Sequence, residues 1–376
     1  MQKIERCNSC VLPKSNYFDF DDYGTCSLCN AAKRINVVSR DLERRTDRLD
    51  EAIEKIKERG RGQPFDCVVG VSGGRDSSYL LYLLVQKHNL RCLATYYRTP
   101  FTSDITDTNV RRLTDKLNVP VVEMGISKEL HRRIAREFVI LWTEKPYPII
   151  ANMACAPCKL VNREILKTAR ANGVKAVITG ANKFEAVQIA SGISRNAVLA
   201  TDAAAKQLSI RVQLQRTLLL TKKGVEALGT SIKLWKYISL GFQASVMYIS
   251  PYTPYLRFRY PNISILEYFY FAEWNEAQCE KALQELGWEL PSGCKSTWKS
   301  DCSFTELKNS MFRKMTGITY MDAFISNMVR AGILSREEAL RRIEVEGKLS
   351  PERISEACKI LELPAQLSAL FEQDAV

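Results

Sequence analysis

Histidine is nearly absent from this sequence, which has His88 and His131 alone among 376 residues. That scarcity argues against histidine-rich metal sites and against Ser-His-Asp catalysis. Each lone imidazole reads as a surface or helix residue rather than a catalyst. Long apolar runs are missing too. No stretch approaches the ~18 consecutive apolar residues of a membrane span, so no transmembrane helix is expected. The opening residues, Met1-Gln2-Lys3-Ile4-Glu5-Arg6-Cys7, lack the apolar core of a secretion signal, and the chain is expected to stay in the cytoplasm. There is no internal repeat and no low-complexity tract.

Hydrophobic residues make up 46% of the chain, enough for a packed core. The length suits two or three domains, or one large domain with appendages. The formal charge of +12 favours anionic partners such as nucleotides, sugar nucleotides, nucleic acid or anionic surfaces, although a basic surface also occurs without a specific role. Cysteine is abundant, with 12 residues. In a cytosolic chain so many thiols point to metal or sulfur chemistry rather than disulfides.

Residues 1–36 read as an irregular segment with two cysteine pairs, followed by a linker helix within 37–62. Ser39 is a plausible cap for that helix. Leu42, Leu49, Ile53 and Ile56 give it an apolar stripe, and Gly60 and Gly62 stop it. From 63 to 185 short apolar runs alternate with helical patterns. Strands are expected at Phe65–Val71, Leu93–Tyr97, Val119–Met124 and Val174–Thr179. The intervening helices fall at about 77–87, 104–117, 127–143 and 159–172. Such alternation implies a parallel α/β sheet covered on both faces. Residues 186–376 read as a mostly helical substrate or partner region. Its stretch 186–260 is hard to assign, Tyr252–Pro261 reads as a loop, and 264–286 and 321–373 read as helical. Ser335 and Ser350 look like helix caps before acidic first turns.

Between the first strand and its helix lies Val71-Ser72-Gly73-Gly74-Arg75-Asp76-Ser77-Ser78. An open parallel sheet binds ligands at such a place. Two glycines allow a tight turn and close approach of backbone N–H groups to phosphate oxygens. Ser72, Ser77 and Ser78 add hydroxyls, and the helix N-terminus adds its positive dipole. Asp76, an acid in an anion site, makes sense if it orients the loop or holds Mg²⁺. The pattern is neither a Walker A loop nor a dinucleotide fingerprint.

Ser72-Gly73-Gly74-Arg75-Asp76-Ser77 resembles the PP-loop motif of ATP pyrophosphatases. The resemblance implies a Rossmann-like domain of the adenine nucleotide alpha hydrolase type. It also implies cleavage of ATP between its α- and β-phosphates, with AMP passed to a carbonyl or amide oxygen. Ser72, Gly73, Gly74, Arg75, Asp76, Ser77 and Ser78 would bind the nucleotide, with Asp76 and Ser77 also catalytic. Gly180 and Asn182, in Val177-Ile178-Thr179-Gly180-Ala181-Asn182 after the fourth strand, would sit near the adenylate.

Cys7-x2-Cys10 and Cys26-x2-Cys29 are spaced for a tetrahedral structural Zn²⁺, the alternative being two pairs of small buried residues. The phrasing of residues 7–13 and 18–29, the loop itself and Ser335-Arg336-Glu337-Glu338-Ala339-Leu340 together resemble N-acetyl sugar amidotransferases. These act in bacterial surface-polysaccharide biosynthesis, including lipopolysaccharide. The resemblance implies nitrogen insertion into a nucleotide-sugar substrate, with ammonia from a separate glutaminase through a cyclase-like subunit.

A second set, Cys155-Ala156-Pro157-Cys158, precedes the helix before the fourth strand. With a distant third cysteine, Cys302 or Cys294, it is similar to PP-loop tRNA thiolation enzymes, in which such cysteines hold an iron–sulfur cluster. The resemblance implies a [4Fe-4S] cluster on Cys155, Cys158 and the third thiol, and sulfur insertion into tRNA or a small amide. Read from spacing alone, the pair is open between a metal or cluster site, catalytic or redox thiols, and buried structure. A third reading of the whole chain is a zinc-bearing nucleotide-binding module without turnover. Cys67, Cys92, Cys279 and Cys358 read as buried inert thiols. The basic-aromatic stretch 252–260 could stack a base or grip RNA phosphates, but it reads rather as a core-covering loop with Arg257 and Arg259 solvated. Lys295 and Lys299 flank Cys294 and could bind substrate phosphate, but read rather as surface lysines.

Overall fold

The computed structural model describes residues 4–34, 42–185, 234–247 and 254–372. Five strands, β1 Cys67–Val71, β2 Cys92–Tyr96, β3 Val121–Glu123, β4 Ala176–Thr179 and β5 Ser264–Glu267, form one sheet in the order β3-β2-β1-β4-β5. Every pairing is parallel, with Val71 opposite Tyr96 and Val69 opposite Ile178. Strand order reverses direction between β1 and β4. A crevice opens there at the carboxyl ends of the strands, which is where ligands bind in open α/β sheets.

Alternation along each strand sends side chains to opposite faces. Val69, Val71, Ala94, Ile178 and Leu266 share one apolar cluster with Leu80 and Leu81 of α3 (Arg75–Tyr82). Val68, Leu93 and Val177 share another with Ile165, Leu166 and Ala169 of α7 (Val161–Ala171). The sheet is therefore sandwiched between helices, as the apolar runs imply. The expected helices at 104–117 and 127–143 form as Asp104–Lys116 and Lys128–Glu144. Ser103 and Ser127 cap them by accepting backbone N–H bonds. Ser335 and Ser350 cap their helices in the same way. In the linker helix, described from Leu42 to Gly60, Leu49, Ile53 and Ile56 are buried. The expected cap Ser39 lies outside the described residues, as do 186–233 and 248–253.

Three local expectations are corrected. Ser264–Glu267, expected as helix, is a strand, because pairing with β4 decides a run too short for periodicity to assign. Pro254–Arg259, expected within a loop, is a short helix. Pro254 occupies its first position, where the missing N–H costs nothing. The helix after the Gly-rich turn starts at Arg75 rather than Ser77, and its tail winds as a π turn over Leu83–Lys87. Among the described residues, no helix is long and apolar enough to cross a membrane.

Candidate active site and cysteine centre

The loop after β1 is tied by its own hydroxyls. The Ser77 hydroxyl accepts from the Ser72 N–H at 3.1 Å and donates to the Gly74 carbonyl at 3.3 Å, while the Gly74 N–H donates to Ser72 Oγ at 3.3 Å. Gly73 has φ +79°, and a Cβ there would come within 2.6 Å of Thr106 Cγ2 and 2.7 Å of the Thr106 carbonyl oxygen. Only glycine fits that position. The Gly73 carbonyl accepts from the Trp288 indole at 2.8 Å, so the C-terminal region also holds the turn.

The exit from β4 packs on the same loop. Gly180 lies so close to α3 that a Cβ would sit 3.5 Å from the Asp76 carbonyl oxygen. Asn182 is buried; it donates to Asp76 Oδ2 at 3.2 Å and accepts from the Phe184 N–H at 3.0 Å. The other Asp76 oxygen accepts from Arg75 Nε at 2.8 Å. With both oxygens engaged, Asp76 acts as a brace between the two crevice walls. The Arg75 guanidinium is buried. It donates to Glu276 at 2.8 Å and Thr297 at 3.0 Å and lies 4.7 Å above the Trp274 ring. These contacts commit it to the C-terminal region.

A cavity of about 440 Å³ opens over the loop. Ser72, Gly74, Arg75, Asp76, Ser77 and Gly180 contribute to its walls; Gly73, Ser78 and Asn182 stand outside that lining. Opposite them, one segment of the C-terminal region supplies Trp298, Lys299, Asp301 and Cys302. Trp298 anchors this segment, stacked on Phe324 at 4.3 Å and donating to Glu185 Oε1 at 2.8 Å. Lys299 adopts φ +50°, an uncommon conformation for a side-chain-bearing residue and one that recurs at functional sites. Asp301 reaches the loop itself: its Oδ2 would lie 3.2 Å from a Cβ on Gly74. Burial raises the carboxyls of both Asp301 and Glu185, against the lowering influence of the Ser72 hydroxyl on the first and of Lys299 on the second.

Cys155, Cys158 and Cys302 line this same cavity, whereas Cys294 does not. Lys308 Nζ donates to Cys155 Sγ at 3.5 Å and to Asn152 Oδ1 at 2.9 Å, and stands 5.0 Å over the Tyr320 ring. Cys158 Sγ meets His131 Nε2 at 3.6 Å, and His131 Nδ1 meets the Tyr97 hydroxyl at 2.8 Å. Burial pushes the His131 imidazole down to about 4, so it stays neutral near pH 7. Burial likewise raises the Cys158 thiol and pushes Cys302 up to about 12. Both histidines, expected as surface or helix residues, are buried, and His131 lies on helix Lys128–Glu144. Cys67, Cys92, Cys279 and Cys358 are buried as well.

The N-terminal cysteines form a separate centre. The sulfurs of Cys7, Cys10, Cys26 and Cys29 all lie within 4.8 Å of one another, and no other such group occurs among the described residues. Backbone N–H groups of Ser9, Cys10 and Cys26 donate to Cys7 Sγ at 3.3–3.5 Å. Arg330 adds a side-chain donor to Cys10 Sγ at 3.2 Å. Four converging sulfurs with oriented donors can hold a tetrahedral metal ion.

Glu185, Asp301, Lys308 and His131 escaped the sequence reading as site residues, and Lys299, in sequence a phosphate contact or a surface lysine, stands in the cavity wall. The one local signal was Cys302, which Asp301 directly precedes in sequence.

Comparison with known proteins gives no matching family model and no matching curated protein. Among solved structures, the chain is similar to an NMN synthetase from Francisella tularensis, at 14% identity and TM-score 0.36, over 83% of this chain and 94% of that one. It is similar to an NH3-dependent NAD synthetase from Campylobacter jejuni, at 15% identity and TM-score 0.27, over 56% and 98% respectively. A third is the U34-tRNA thiolase NcsA from Methanococcus maripaludis with its [4Fe-4S] cluster, at 13% identity and TM-score 0.32, over 91% and 89%.

Proposed function

We propose that this chain is a PP-loop enzyme that uses ATP to adenylate a carbonyl or amide oxygen and then replaces that oxygen with sulfur. The observation that carries the choice of sulfur is the presence of Cys155, Cys158 and Cys302 in the wall of the cavity over the phosphate loop. The loop's free backbone donors and the α3 N-terminus receive the phosphates. Asp76 and Asn182 keep the two walls in register, and Ser77 holds the turn closed. The substrate oxygen attacks the α-phosphorus, the bond to the β-phosphate oxygen breaks, and pyrophosphate leaves. Inorganic sulfide then displaces AMP from the carbon, giving a thiocarbonyl. Mg²⁺ enters with ATP.

The donor set fits an iron–sulfur cluster. Three cysteines from two segments line one cavity, with Lys308 and Lys159 in the same wall to offset the negative charge of bound thiolates. Cys155, Cys158 and Cys302 would hold it, and it would supply a soft metal centre suited to sulfur. The N-terminal four cysteines would hold structural Zn²⁺. The +12 charge suits a polyanionic substrate, and tRNA is the one this reading names. Nitrogen insertion into a nucleotide sugar would share every step up to the adenylate but has no use for three thiols in the cavity.

Anaerobically reconstituted protein should release pyrophosphate from ATP with tRNA and sulfide, and Cys302→Ala should abolish product formation. Turnover only with an N-acetylated nucleotide sugar and ammonium, undiminished in Cys302→Ala, would replace sulfur by nitrogen as the incoming atom.

A further inference from the structure

The two sulfurs of Cys155-Ala156-Pro157-Cys158 meet different partners, and neither partner comes from the loop that carries them. Cys155 Sγ receives a hydrogen bond from the Lys308 ammonium, which lies on the helix Phe304–Thr316. Lys308 is 9% exposed and is aimed by Asn152 Oδ1 and the face of Tyr320. Cys158 Sγ faces His131 Nε2 on Lys128–Glu144. Both ring nitrogens of His131 are engaged, Nε2 by Cys158 Sγ at 3.6 Å and Nδ1 by the Tyr97 hydroxyl at 2.8 Å. If Cys158 is a metal-bound thiolate it can only accept. Nε2 must then carry a proton, and the Tyr97 hydroxyl is placed to donate to Nδ1. The Tyr97 hydroxyl thereby selects the tautomer that donates to sulfur.

We infer that Lys308 and the Tyr97–His131 pair are positioning residues that donate one hydrogen bond to each sulfur of the pair and so set the electronic character of whatever soft metal centre those sulfurs hold. This rests on the sulfur-insertion reading. One donor is a lysine ammonium and the other an imidazole ring N–H, so the two sulfurs are unequal. A hydrogen bond to a ligand sulfur withdraws electron density from the metal centre and favours its reduced, more negative state. Loss of either donor therefore lowers the reduction potential. The cationic donor carries the larger effect, because charge-assisted bonds are about twice as strong as neutral ones.

The test uses the full chain with iron and sulfide reconstituted anaerobically, and follows the reduction potential by dye-coupled titration with electron paramagnetic resonance of the reduced state. Lys308→Met should shift the potential to more negative values, Lys308→Arg should keep it close to wild type, and Tyr97→Phe should give a smaller negative shift. Full iron content with unchanged potentials in both Lys308→Met and Tyr97→Phe overturns the inference and leaves the sulfur reading standing. Iron loading that fails in Lys308→Met but survives in Lys308→Arg supports the assignment, since a cation is what is restored. Failure in both makes Lys308 a packing residue and overturns its part. A wild-type chain that takes up no iron beyond the N-terminal centre overturns the sulfur reading and this inference with it.

Discussion

Gly73→Ala separates the geometric demand of the phosphate loop from ordinary glycine strain. Gly73 and Gly62 both have positive φ, +79° and +75°, but a Cβ at Gly62 meets nothing within 4 Å. Gly62→Ala should therefore cost only the left-handed conformation, about 1–2 kcal/mol. Gly73→Ala carries that cost and also drives a methyl to 2.7 Å from the Thr106 carbonyl oxygen and 3.1 Å from Val110 Cγ2. The carbonyl belongs to helix Asp104–Lys116 and cannot swing aside, so the loop must move. Overpacking of this kind costs about 1–3 kcal/mol. The total of about 2–5 kcal/mol should divide between lost stability, if the loop is held, and lost ATP affinity, if it shifts; each tenfold in affinity is about 1.4 kcal/mol. Urea denaturation and calorimetric ATP titration of both variants measure the two shares. The reasoning is refuted if Gly73→Ala matches Gly62→Ala in stability while binding ATP as the wild type does.

Asn182→Ala removes the bridge to Asp76 and leaves a half-buried carboxylate oxygen short of a donor, which should cost about 1 kcal/mol and weaken ATP binding about tenfold in the same titration. Arg75→Met leaves Asp76 and Glu276 without their buried cation. Glu276 keeps Arg342, so the loss should fall near the lower end of about 3–5 kcal/mol in urea denaturation. Cobalt substituted at the four N-terminal cysteines should show the intense absorption of tetrahedral thiolate coordination at one equivalent, and Cys26→Ser should remove it. Burial lowers the His88 pKa, so the folded chain binds fewer protons there than the unfolded chain does. Stability from this group is full above about pH 6.5 and is lost as pH falls through the folded-state value. Urea midpoints at pH 7.5 and 5.5 should differ less in His88→Gln than in wild type.

What the sequence discloses here depends on contiguity. The Gly-rich strand–turn–helix was legible because its three parts fall within about a dozen residues, and each contributes its own physical signal. The four N-terminal cysteines were legible because their spacing alone is a geometric statement. Asp301, Glu185 and Lys299 were not, because what marks them is proximity to a loop more than a hundred positions away or across a change of element. His131 was read as a surface or helix residue and does lie on a helix, but its contact with Cys158 was not legible, for a different reason. Its helix buries a broad face that also takes Ile134, Ala135 and Phe138, and an imidazole on such a face gives no sign of whether it meets a thiol or a methyl. Ser264–Glu267 was misread because four residues cannot display a period, and a neighbour absent from the local sequence settles the matter.

The position of the cysteine knuckle also gains a physical reason. Arg330 joins it to helix Tyr320–Arg330 through Cys10 Sγ, and Arg6 joins it again through Asp322 at 2.7 Å. Along that helix, Asn327 donates to the Phe184 carbonyl at 2.8 Å, and the Phe184 N–H donates to Asn182, the residue that holds Asp76. The same helix carries Phe324, on which Trp298 stacks to bring Lys299, Asp301 and Cys302 over the loop. One helix thus fixes both the β4 exit and the segment that roofs the cavity, and the knuckle fixes the helix. A chain that assembles its site from segments so far apart needs a rigid clamp at the point where they converge. Four cysteines, once they hold a metal ion, would supply that clamp with fewer residues than a hydrophobic core would need.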